Sequence, residues 1–94
     1  MGHRFLSRPS PVTTVASKTI YRDDYRKLVE RLRDRREMLG LSQSEVARAL
    51  GWPQQRVSAV EAGARRLDVI EFFQLTSTLG LTESQAVKLF FPPT

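Results

Sequence analysis

From Asp23 onward the apolar residues recur every three or four positions, in blocks separated by glycine. Tyr25, Leu28, Val29, Leu32 and Leu39 share one face at about 100° per residue, which predicts an amphipathic helix. Asp23 or Asp24 can cap its start, and Gly40 can end it. Ser42-Gln43-Ser44-Glu45 is a capping box that opens a second helix, with Val46, Ala47 and Leu50 inward and Gly51 as its stop. Trp52-Pro53 opens a third, with Val57 and Val60 inward and Gly63 after it; proline suits a first turn, where no N–H is needed. Asp68 with Glu71 opens a fourth, the most apolar, carrying Val69, Ile70, Phe72, Phe73, Leu75 and Leu79 and stopped by Gly80. Thr82 with Gln85 repeats the capping box for a fifth, in which Val87, Leu89 and Phe90 close the core before Pro92. The expected fold is all-α: a compact five-helix domain over residues 23–94.

Residues 1–22 break this rhythm. They hold Pro9 and Pro11, many Ser and Thr, no acidic residue, and four cations: Arg4, Arg8, Lys18 and Arg22. They are expected to form an extended or disordered N-terminal arm, with a weak strand signal at Thr13–Val15 or Thr19–Tyr21.

Composition narrows the chemistry. The chain has 94 residues, enough for one small domain. It has no cysteine, so disulfides and thiolate metal sites are excluded, and its one histidine, His3, lies outside the helical part. Multi-histidine zinc centres and Ser-His-Asp triads are thereby set aside. No phosphate-binding glycine loop or free carboxylate pair is evident, so no enzyme activity, cofactor or metal is expected. No apolar run approaches a membrane span or a signal-peptide core, which makes a cytoplasmic, nucleoid-associated protein the expectation. The net charge is +5, and of the 15 basic residues only Lys88 follows Asp68. A basic domain with its positive field in the first two thirds suits nucleic acid as well as plain solubility.

The stretch 43–63 decides between these. A helix of about eight residues meets Gly51, turns within three residues, and restarts at Pro53. That is the spacing of a helix-turn-helix, whose second helix can enter a DNA major groove. On this second helix, 53–62, Gln54, Gln55, Ser58, Ala59 and Ala62 face outward without charge. Glutamine can pair with adenine through both amide groups, and an alanine methyl can meet a thymine methyl. Arg36 gives a second clue, since it interrupts the apolar stripe between Leu32 and Leu39. A guanidinium there needs a carboxylate. Glu61 is the candidate partner, against a side chain that snorkels to solvent. Arg31, Arg33 and Arg35, interleaved with Glu30, Asp34 and Glu37, read as a solvated face with local ion pairs.

With those residues in view, Leu32–Leu81, LRDRREMLGLSQSEVARALGWPQQRVSAVEAGARRLDVIEFFQLTSTLGL, resembles the helix-turn-helix of phage repressors and Cro, the xenobiotic-response-element (XRE) family. The matching pieces are Arg36, Gly40-Leu41-Ser42-Gln43, Ala47, Gly51, Val57-Ser58, Val60-Glu61, Gly63 and the apolar pattern of the fourth helix. The resemblance implies a lambda-repressor-like domain acting in transcription regulation on double-stranded DNA, usually as a homodimer on a two-fold symmetric operator. Carried over by position, Gln54, Gln55, Ser58 and Ala59 face the bases. Gln43, Arg65 and Arg66 lie at phosphates, and Arg36 with Glu61 forms a structural ion pair. Arg56, at the flank of the third helix, and Arg48 are divided between phosphate contact and solvent. Trp52-Pro53 departs from the small polar residues common in the family. Two readings stand: Trp52 staples onto Val57, or its indole N–H meets a phosphate.

Leu89, Phe90 and Phe91 are the candidate dimer surface. The arm offers Arg4 and Arg8 to a minor groove or wraps a protein partner. An alternative function is an interaction module of the same fold, an antitoxin or adaptor with autoregulatory or no DNA binding. With the fifth helix ending near Pro92, no ligand domain is expected after it.

Overall fold

The computed structural model describes residues 13–90, and their side chains from Asp23 on. The described residues form five helices and no strand: α1 Thr13–Met38, α2 Gln43–Leu50, α3 Gln54–Glu61, α4 Val69–Thr78 and α5 Glu83–Val87. The first helix corrects the expected start. It begins at Thr13, ten residues before Asp23, and takes in both weak strand signals. Nothing after Pro11 and before Gly40 breaks a helix, and Asp23 and Asp24 are tolerated within one because a single aspartate costs only a few tenths of a kcal/mol there. Arg4, Arg8 and the rest of the arm up to residue 12 lie outside the described residues.

The other boundaries follow local chemistry. Ser42, Asp68 and Thr82 each accept from the backbone three residues on, and Glu45, Glu71 and Gln85 reach back to complete capping boxes. α3 starts one residue later than expected. Pro53 is its N-cap, in extended conformation with no side-chain bond. Gly51 turns the chain between α2 and α3 at φ 73°, a left-handed conformation that a Cβ would disfavour.

The core is built from one stripe of each helix. Leu28 and Leu32 of α1 meet Val46 and Ala47 of α2, Val57 of α3, Phe72, Leu75 and Leu79 around α4, and Ala86 of α5, and Val29 and Val60 are buried together beside a small void. Thr76, the one buried polar residue of the described part, has its hydroxyl within hydrogen-bond distance of the Phe72 and Phe73 carbonyls. Five expected core residues lie outside: Leu39, Val69, Ile70, Val87 and Phe90 are exposed. Leu39 follows the end of α1, and Val69 and Ile70 occupy the first turn of α4, before its buried stripe from Phe72 to Leu79 begins. Phe90 still packs its ring against Phe72, with centroids 4.9 Å apart.

The arginines of α1 do not form the expected ladder of local pairs. Arg31 donates to the Leu89 carbonyl at 2.8 Å and Arg35 to the Leu79 carbonyl at 2.9 Å. Each satisfies a carbonyl at a helix end, where no backbone donor remains. Two long side chains thus strap α1 across the ends of α4 and α5.

Candidate nucleic-acid interface

α2 and α3 are held at a fixed angle by one buried charge cluster. Arg36 binds Glu61 with two bonds, Nε to Oε2 at 2.6 Å and Nη2 to Oε1 at 2.9 Å. Its remaining nitrogen, Nη1, donates to the Leu41 carbonyl at 2.7 Å. The Gln43 amide donates to Glu61 Oε1 at 2.9 Å. The two charged side chains are only 11% and 10% exposed. The hydrogen bond to Glu61 outweighs desolvation and raises the Arg36 pKa above its ordinary value, so the guanidinium stays charged. One cluster therefore joins α1, the start of α2 and the end of α3. Gln43, expected at a phosphate, directs its amide nitrogen inward to this cluster.

The turn is closed by Trp52. Its backbone N–H donates to the Ala47 carbonyl at 2.9 Å, and its half-buried ring packs on the core, lining the same small internal void as Val57. Arg56 stacks over the indole, 5.2 Å from the ring centroid. After α3 the chain is pinned to α1 by Tyr25. The Tyr25 hydroxyl donates to the Arg65 carbonyl at 3.3 Å and accepts from the Leu67 N–H at 3.2 Å. Arg66 lies over the Tyr25 ring, 4.7 Å from its centroid.

Against this frame the outward face of α3 stands apart. Gln54, Gln55 and Ser58 are exposed, Ala59 is half-buried among them, and no described residue bonds their side chains. The cations beside them are already engaged. Arg65 donates twice to Glu71, at 3.2 and 3.0 Å, and Arg56 lies 4.0 Å from the same carboxylate. The Arg65 bonds, then the Asp68 N–H, hold the Glu71 carboxyl below the usual carboxylate range. Glu71 was expected only as a cap. Its second role joins residues six apart across a non-helical link, a distance that no helical periodicity marks. Arg48 is exposed on α2. Of the expected dimer surface, Leu89 is packed on its own core, Phe90 is exposed, and Phe91 lies outside the described residues.

Comparison with known proteins agrees with this architecture. A family model described as helix-turn-helix matches residues 32–85, more than half of the chain. A solved structure of an XRE-family like protein from Pseudomonas syringae pv. tomato str. DC3000 is similar at 36% identity, with a TM-score of 0.76, over 83% of this chain and 98% of that one. A search of curated proteins gave no match. On the matched residues and this structural likeness together, the chain belongs to the XRE-type helix-turn-helix family, whose fold is that of DNA-binding regulators.

Proposed function

We propose that this protein binds double-stranded DNA in a sequence-specific way as a small transcriptional regulator, with α3 in the major groove. The observation that carries the reading is the exposed face of Gln54, Gln55 and Ser58, uncommitted to any described residue, on a helix whose other faces are fastened. Rigid presentation of a few amides and hydroxyls is what base-edge recognition needs. Ala59 adds a methyl for thymine. Gln43, Arg56, Arg65 and Arg66 are the groups for phosphates, which set register rather than sequence. Few base contacts per copy favour a homodimer with recognition helices about 34 Å apart on a two-fold symmetric operator. The exposed Phe90, with Leu89 and Phe91 next to it in sequence, is the segment offered for that dimer.

The test is selection of bound fragments from a random duplex library at two salt concentrations. An inverted repeat should be enriched by the parent protein and not by the Gln54→Ala/Gln55→Ala variant. Arg65→Ala/Arg66→Ala should weaken all fragments about equally and flatten the salt dependence. With about three cationic contacts per copy, the log–log slope of a dimer approaches about −5. Binding without any enriched sequence would sink the regulator reading.

A further inference from the structure

Both arginines that flank α3 converge on one acid. Arg56 comes from the first turn of α3, Arg65 from the segment after it, and Glu71 from the first turn of α4. The Glu71 carboxylate accepts the two parallel N–H groups of Arg65, the Asp68 backbone N–H at 3.1 Å, and the field of Arg56 at 4.0 Å. A forked guanidinium, a second cation and a helix-start N–H are also what a phosphate oxygen pair would take. The arginine side chains are 39% and 35% exposed, so their free edges face solvent while their charge is answered from within.

We infer that Glu71 is an intramolecular stand-in for a DNA phosphate, which holds Arg65 and Arg56 and must be displaced before the backbone can take them. The inference rests on the DNA-binding reading and deepens it, naming a residue that sets how strongly the protein binds irrespective of sequence. A phosphate that gains Arg65 replaces a pair already formed and does not meet an idle cation. Sequence-independent attraction is thereby held down, and a larger share of the total affinity is left to the α3 amides. Arg66, stacked on Tyr25 and bonded to no acid, is outside the arrangement and available at once.

Glu71→Gln tests this without dismantling the helix start, because glutamine serves equally at the third position of a capping box. Binding of a random-sequence duplex is measured by fluorescence anisotropy across salt concentrations. The variant should bind about 5- to 10-fold tighter at low salt, with a log–log slope steeper by about one per copy. Glu83→Gln, which removes the same charge from an exposed position on α5, should change affinity less than about 2-fold. Adding Arg65→Gln to Glu71→Gln should erase the gain. Tighter binding is a readout that loss of structure cannot imitate. In the unaltered protein, carboxyl carbon NMR should show the Glu71 titration moving upward when duplex is added, as the Arg65 bonds are lost.

A gain equal to that of Glu83→Gln would overturn the inference, as would weaker binding by a folded variant, which would make Glu71 a positioner of Arg65. A Glu71 carboxyl unmoved by bound duplex would overturn it too. If the parent protein binds duplex and Glu71→Gln matches it, this inference alone falls. If neither binds any duplex at low salt, the DNA-binding reading falls with it.

Discussion

Two arginine–glutamate pairs border α3, alike in chemistry and opposite in setting. Arg36–Glu61 and Arg65–Glu71 are both doubly hydrogen-bonded. The first is almost closed to water, and its spare groups go to the Leu41 carbonyl and the Gln43 amide. The second is open at its arginine and shares its acid with Arg56. The difference teaches that a bidentate contact is not by itself structural. Burial decides whether breaking it strands a charge, and a stranded buried charge is what makes a pair permanent. A pair whose arginine is open to water can give that arginine to another ion at a smaller cost.

The contrast can be broken most directly by truncation. Glu61→Ala should lower unfolding stability by about 3 kcal/mol or more, read from urea denaturation, because Arg36 is left buried with one carbonyl and only the looser Glu37 carboxylate at 3.8 Å. Glu71→Ala should lose much less in the same assay; equal losses would end the distinction. Arg35→Ala is an intermediate case. A single half-buried bond to the Leu79 carbonyl is removed, and a loss of about 1 kcal/mol is expected. Salt sharpens the comparison further. In double-mutant cycles the coupling of Arg65 with Glu71 should fade as salt rises to about 1 M, while that of Arg36 with Glu61 keeps most of its value.

The smallest effect expected is with pH. Glu71 is held low by Arg65 and the Asp68 N–H, and Glu45 by the Ser42 backbone and hydroxyl. Each carboxyl ionises more readily folded than unfolded. Its contribution is therefore complete above the ordinary range, near pH about 4.3, and is lost as pH falls through the lowered folded value. Thermal melts should decline below about pH 5, and the decline should be shallower for Glu71→Gln.

What could be read from the sequence follows how far each interaction reaches. The capping boxes at Ser42, Asp68 and Thr82 and the turn at Gly51 depend on residues three or four apart, and they stand where the pattern put them. Arg36 was legible because a charge in an apolar stripe demands an answer, and Glu61 was the acid at the matching edge of the third helix. Arg31 and Arg35 were not, because they bond backbone carbonyls 58 and 44 residues away, and a carbonyl leaves no mark in a sequence. The outward amides of α3 could be located by phase. The engagement of the neighbouring arginines could not, since the route from Arg65 to Glu71 crosses irregular backbone. Apolar content misled at Val69 and Ile70, whose composition says nothing of direction.

The strap from Arg31 to the Leu89 carbonyl carries a consequence for biosynthesis. α1 is translated early, but the groups that seat it are spread along the chain, from Leu41 and Glu61 to Leu79 and, last of all, Leu89. A nascent chain with Leu89 still inside the ribosome can set Arg36 on Glu61 but leaves Arg31 without its carbonyl. Seating of α1 is therefore completed only once Leu89 has left the ribosome, and a chain stalled before that point keeps this helix more open to proteases.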